Sequence, residues 1–152
     1  MGLDALSKLI VWQKSKDFAK KIYREVLPLL PAEEKWALNQ QIRRASVSIF
    51  ANIAEGHGRY YYQDNVRFCY IARGSLEETL SFLNFCEEMS FIDKTVFGSL
   101  QKDGEEISRM LNAYIGHLKT SKQGANEPGA PRVAEDQTSY QTDAPDDFSP
   151  LP

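Results

Sequence analysis

Apolar positions recur along most of this chain at alternating three- and four-residue steps, the spacing of one helix face. In the first segment Trp12, Ser15, Ala19, Ile22, Val26 and Leu29 keep that rhythm until Pro28 and Pro31 close it. A second segment opens at Pro31-Ala32-Glu33-Glu34, because proline and acids suit a first helical turn. Its stripe of Leu38, Ile42, Ala45, Ile49, Asn52 and Gly56 ends at Gly56-His57-Gly58. A third runs from about Gln63 to Met89, with Phe68, Ala72, Ser75, Thr79, Phe82 and Cys86 on one side. Asp93 is placed to cap a fourth, whose stripe is Phe97, Leu100, Gly104, Ile107, Leu111, Tyr114 and Leu118. No segment shows the two-residue alternation of a half-buried strand. Four amphipathic helices of roughly 22–28 residues with short connections predict an all-α, antiparallel up-down-up-down four-helix bundle.

From Gly124 onward that periodicity is gone. Pro128, Pro131, Pro145, Pro150 and Pro152 punctuate a segment with few apolar residues. Such a segment buries too little surface to offset its ordering entropy, so it reads as disordered. The expected organisation is a bundle over 7–120 and a disordered, acidic, proline-rich tail over 121–152. Charge follows the same division. Residues 1–120 carry 16 Lys+Arg against 15 Asp+Glu, whereas 121–152 carry 2 against 6.

The second segment has an additional apolar face. Trp36, Arg43, Val47, Phe50 and Ala54 fall within about 40° of the direction opposite Ala45. A helix that is apolar on two faces is buried on both or meets another chain. Trp36, Val47, Phe50 and Ala54 therefore mark an expected oligomer interface. The competing reading packs Trp36 and Phe50 against loops or the first helix.

The run from Leu38 through Gln41-Ile42-Arg43-Arg44-Ala45-Ser46-Val47-Ser48-Ile49-Phe50-Ala51-Asn52-Ile53-Ala54-Glu55-Gly56 resembles the signature of bacterial four-helix-bundle proteins encoded in intervening sequences of 23S ribosomal RNA genes. Val11-Trp12-Gln13, Gly58-Arg59, Arg67-Phe68 and Ala72-Arg73-Gly74-Ser75-Leu76-Glu77-Glu78 agree with it. The resemblance spans about residues 7–120. It implies a ring-like homopentamer, and a more distant likeness in fold to the accessory variability determinant of diversity-generating retroelements. Through that likeness the resemblance implies binding of a reverse transcriptase and nucleic acid by a basic surface, if this chain carries one.

Residues 35–73 supply such a surface in composition. Lys35, Arg43, Arg44, Arg59, Arg67 and Arg73 face only Glu55 and Asp64 in that stretch. Clustered arginines bind phosphate with steep salt dependence, and Tyr60, Tyr61 and Tyr62 add rings on which bases stack. Equally, the arginines can pair with acids of the third helix and of neighbouring subunits. A body charge of +1 also falls short of a dedicated nucleic-acid binder. Asn52 and Glu55 lie near the core side of the second segment. They read as polar residues that fix helix register, with Arg67 or Arg73 as their partners.

Catalytic chemistry is not expected. His57 and His117 stand too far apart in sequence to form a motif, and no Cys or carboxylate joins either at metal-ligand spacing. No nucleophile sits beside a histidine, and Gly56-His57-Gly58 lacks the lysine and following helix of a phosphate loop. No cofactor or metal is called for. Cys69 and Cys86, about 25 Å apart if they share one helix, cannot bridge each other. The start of the chain lacks a signal peptide, and no apolar run reaches the length of a membrane span. A cytoplasmic, non-enzymatic assembly or partner-binding module is expected. The alternative is an RNA- or DNA-associated accessory protein.

Overall fold

A computed structural model describes residues 3–126. Among them are five α-helices: α1 (Leu3–Ser7), α2 (Ile10–Glu25), α3 (Leu38–His57), α4 (Tyr62–Glu88) and α5 (Lys94–Ser121), with 3-10 turns at Leu27–Leu29 and Ala32–Glu34. The described residues contain no strand. The expected count of four misses α1, whose Leu6 packs with Leu9 against the core.

The helix boundaries follow local chemistry. Asp93 caps α5 by accepting the Val96 N–H at 2.8 Å, as its position predicts. The second segment departs from expectation. Pro31-Ala32-Glu33-Glu34 makes a 3-10 turn, and α3 begins only at Leu38, beyond a break at Ala37 (φ −121°, ψ −102°). The Glu34 carboxylate accepts the Leu38 N–H at 3.2 Å, so the acid serves the helix start from four residues upstream.

The four longer helices close on one another. α2 touches α3 and α5, and α4 touches the same two. Lys21 meets Asp103 at 2.7 Å and Lys14 meets Glu106 at 3.5 Å, joining α2 to α5. Ser48 Oγ lies 2.8 Å from Ser75 Oγ between α3 and α4, and Asn65 donates to Tyr114 at 3.1 Å between α4 and α5. The stripes face inward. Ile22, Ile42, Ile49, Ala72, Thr79, Leu100 and Leu111 are fully buried, while Leu29 lies past the end of α2 and is exposed. Phe18, Ile53, Cys69, Leu76 and Leu83 complete the core, which is broader than a single stripe on each helix.

Burial of Ser46 and Ile53 rotates the core side of α3 away from the axis that Ala45 suggests. The additional face is thereby a flank of the core rather than its opposite. Phe50 and Ala54 are half-buried against the core, and the Arg43 guanidinium lies 4.8 Å from the Tyr23 ring of α2. Trp36 does not belong to this face, because it precedes α3.

The start of the expected tail is structured. α5 continues to Ser121, Lys122 takes a left-handed conformation, and the Tyr62 N–H donates to the Gln123 carbonyl at 3.1 Å. Gly124 has φ +83°, and a Cβ there would meet Tyr61 Cδ1 at 2.7 Å, so this turn requires glycine. The remainder of the tail, 127–152, lies outside the described residues.

Candidate functional site

The five arginines do not converge. Arg43 donates to Asn39 at 2.6 Å, and Arg44 to Gln41 at 3.3 Å with Glu78 at 3.9 Å. Arg59 pairs with Glu55 at 2.9 Å, Arg67 with Asp64, and Arg73 donates to Asn112 at 3.0 Å. Successive residues point about 100° apart on a helix, which separates Arg43 from Arg44, and Arg67 and Arg73 lie on different faces of α4. Each guanidinium is thus engaged with its own nearby acceptor.

Asn52 and Glu55 do not act as a pair. Asn52 donates to the Ser48 carbonyl and to Ser48 Oγ, both at 2.8 Å. Through Ser48 and Ser75 it joins a hydrogen-bonded chain that crosses from α3 to α4. Glu55 is exposed and reaches forward to Arg59. Neither meets Arg67 or Arg73. Glu55, two residues and about 200° beyond Ile53, sits on the outer side of α3 once the core centre has rotated towards Ile53.

Large apolar side chains are exposed where α2 ends, α3 begins and α4 ends. Trp36 is 78% exposed, Leu29 54%, Met89 51% and Phe85 48%. Glu34 acts electrostatically on Cys86, which places the turn before Trp36 beside the last turn of α4.

At the other end lies a cavity of about 420 Å³ that sequence reasoning missed. Lys8, His57, Arg59, Tyr62, Tyr114 and His117 line it, and no carboxylate is among its lining residues. His57 ends α3 and His117 stands near the end of α5, so the two imidazoles that are remote in sequence share one pocket. The signal was available in the topology: the end of α3, the start of α4 and the end of α5 meet at one end of a closed bundle. Gly56 permits that closure. A Cβ there would lie 2.7 Å from Asn65 Oδ1 and 2.9 Å from Phe68 Cβ.

The hydrogen bonds behind the cavity have a defined direction. Cys69 Sγ donates to Asn65 Oδ1 at 3.6 Å, and Asn65 Nδ2 donates to the Tyr114 hydroxyl at 3.1 Å. The Tyr114 oxygen is thereby an acceptor, and its own proton is left to donate. Burial raises the Tyr114 pKa, opposed by the Asn65 hydrogen bond, and the phenol stays protonated at neutral pH. Burial likewise pushes the Cys69 thiol up to about 12, and burial with the Glu34 charge pushes Cys86 up to about 11. Both cysteines are free and buried, and such thiols are inert. Among the described residues no three His, Cys, Asp or Glu side chains form a metal-holding group. No described helix is long and apolar enough to cross a membrane.

Fold and cavity together define a small helical-bundle protein with a basic, aromatic pocket at one end. The chain belongs to the 23S rRNA-intervening sequence protein family, whose model matches residues 7–113. It is similar to a crystal structure of a protein with unknown function from the S23 ribosomal protein family of Bacteroides thetaiotaomicron. Identity is 29% and the TM-score 0.64, with 69% of this chain and 97% of that one covered. No curated protein matches it.

Proposed function

We propose that this protein is a non-enzymatic, cytoplasmic, self-associating module: an up-down-up-down four-helix bundle that binds further copies of itself. The observation that carries this reading is the exposed apolar group Leu29, Trp36, Phe85 and Met89 at one end. Scattered surface hydrophobics are ordinary, but several large ones in neighbouring turns mark an interaction surface. Because these four side chains are already partly buried, completing their burial contributes about 3–7 kcal/mol. Association costs roughly 4–15 kcal/mol in lost freedom. These four alone are therefore insufficient, and the half-buried flank of α3 at Val47, Phe50 and Ala54 completes the interface. A near-neutral body charge keeps repulsion between copies small. The family resemblance makes a ring of five the expected stoichiometry.

Sedimentation velocity at tens of micromolar tests the reading. The expected species is a closed oligomer of the 17.3 kDa chain, reduced in mass by Trp36→Asp and Phe85→Asp with helicity unchanged. A wild-type monomer at that concentration would remove the proposal. The nucleic-acid alternative needs a contiguous basic surface, and the dispersal of Arg43, Arg44, Arg59, Arg67 and Arg73 among local partners argues against it. Saturable RNA binding at about 50 mM salt would reinstate it.

A further inference from the structure

The cavity at the α3–α5 end lies opposite the exposed apolar group of Leu29, Trp36, Phe85 and Met89, and its chemistry is selective. Its lining offers cationic or hydrogen-bond-donating groups from four separate parts of the chain. Lys8 follows α1, His57 ends α3, Arg59 lies between α3 and α4, and His117 stands on α5. With Lys8 and Arg59 among the lining residues and no carboxylate there, the pocket favours an anion. The Arg59 guanidinium is held on one edge by Glu55, which offsets part of its charge, and lies 5.3 Å from the Phe68 ring. A guanidinium has five N–H donors in a fixed fork, so one carboxylate contact leaves others available to an oxyanion. The Tyr114 hydroxyl proton, left over by the Asn65-directed hydrogen bond, adds a neutral donor.

Size and rings narrow the ligand. At about 420 Å³ the cavity falls in the range of small-molecule sites and is far larger than a lone oxyanion requires. Tyr60 and Tyr62 add aromatic rings to the lining beside these donors. We propose that this cavity binds a nucleoside monophosphate, with the phosphate held by Lys8, Arg59 and the histidines and the base lying against the tyrosine rings. Gly56 then has a function beyond packing, because the close approach it permits sets Asn65, and through it Tyr114, at the pocket wall.

Calorimetric titration of the full chain with AMP, GMP, CMP and UMP tests this, with adenosine and inorganic phosphate as part-ligands. Saturable binding of at least one nucleotide is expected, with roughly tenfold or greater weakening when either part is removed. Lys8→Glu and His117→Glu each weaken binding by about tenfold or more. Arg73→Glu, remote from the cavity, leaves it unchanged, and helicity and oligomer mass are constant throughout. No nucleotide binding at about 1 mM overturns the proposal. So does inorganic phosphate binding as tightly as the nucleotide, or equal weakening by Arg73→Glu. Single-stranded RNA that binds more tightly than any mononucleotide, and is lost in Lys8→Glu, overturns it in favour of a strand end.

Discussion

Gly56 and Gly104 are both buried glycines on core stripes, and the structure assigns them opposite tolerances. At Gly56 an added Cβ meets Asn65 Oδ1 at 2.7 Å, Phe68 Cβ at 2.9 Å and the Asn65 carbonyl at 3.0 Å. Two of these atoms belong to or adjoin the α4 backbone, so relief requires the helices to part. Gly56→Ala is expected to cost about 1–3 kcal/mol, the usual range for overpacking. At Gly104 the neighbours are the terminal carbons of Leu80, with the closest at 2.9 Å, and a half-buried leucine can turn aside. Alanine also gains up to about 1 kcal/mol of helix propensity over glycine, so Gly104→Ala is expected to lie within about 1 kcal/mol of wild type. Urea midpoints for the two variants check the contrast, and equal losses would refute it. Both glycines were legible as stripe members, but not their difference, because periodicity reports which face is inward and not what stands opposite. The same limit hid His57 and His117. Each looked solitary because the pocket they both line is assembled from helix ends and not by spacing.

At the scale of elements, α5 and α3 show when local signals suffice. Asp93 was readable as a cap because its side chain competes with nothing else for the Val96 N–H, and the structure has that bond at 2.8 Å. Asp93→Ala is expected to cost roughly 1 kcal/mol and Asp93→Asn much less, since asparagine caps about as well. Thermal melts of the two variants should separate by several degrees. A loss as large for Asn as for Ala would show that charge at the helix start, and not the hydrogen bond, carries the effect. The start of α3 was misread for a physical reason. Proline followed by two acids suits a 3-10 turn as well as an α-helix, and the Glu34 carboxylate finds its N–H four residues on, at Leu38. That shift removes Trp36 from the helix, changing a predicted second helical face into an exposed ring on a turn and a half-buried flank.

For the whole molecule, the all-helical fold was legible because four long periodic stripes can bury their apolar sides only against one another. That common core also determines how stability responds to alkali. Burial pushes the Cys69 and Cys86 thiols up to about 12 and about 11, against an ordinary thiol value near 8.5 in an unfolded chain. Below about pH 8 both states keep these protons, and the contribution to stability is complete. As pH rises past about 9 the unfolded chain releases them while the folded core retains them, so the unfolded state binds fewer protons and unfolding becomes easier. Each thiol then contributes a slope of up to about 1.4 kcal/mol per pH unit until its folded value is reached. Tyr114, raised in the same sense, reinforces the trend at still higher pH. The urea midpoint, measured with reductant present, is therefore expected to be flat from about pH 7 to 8 and to fall beyond about 9. Lysines and other tyrosines titrate in the same window, so the informative quantity is the difference from a Cys69→Ala, Cys86→Ala double variant. That variant starts less stable, because it loses buried sulfur, but its midpoint should decline less steeply. Parallel declines would mean that the thiols ionise as readily inside the bundle as outside it, contrary to their burial in the core.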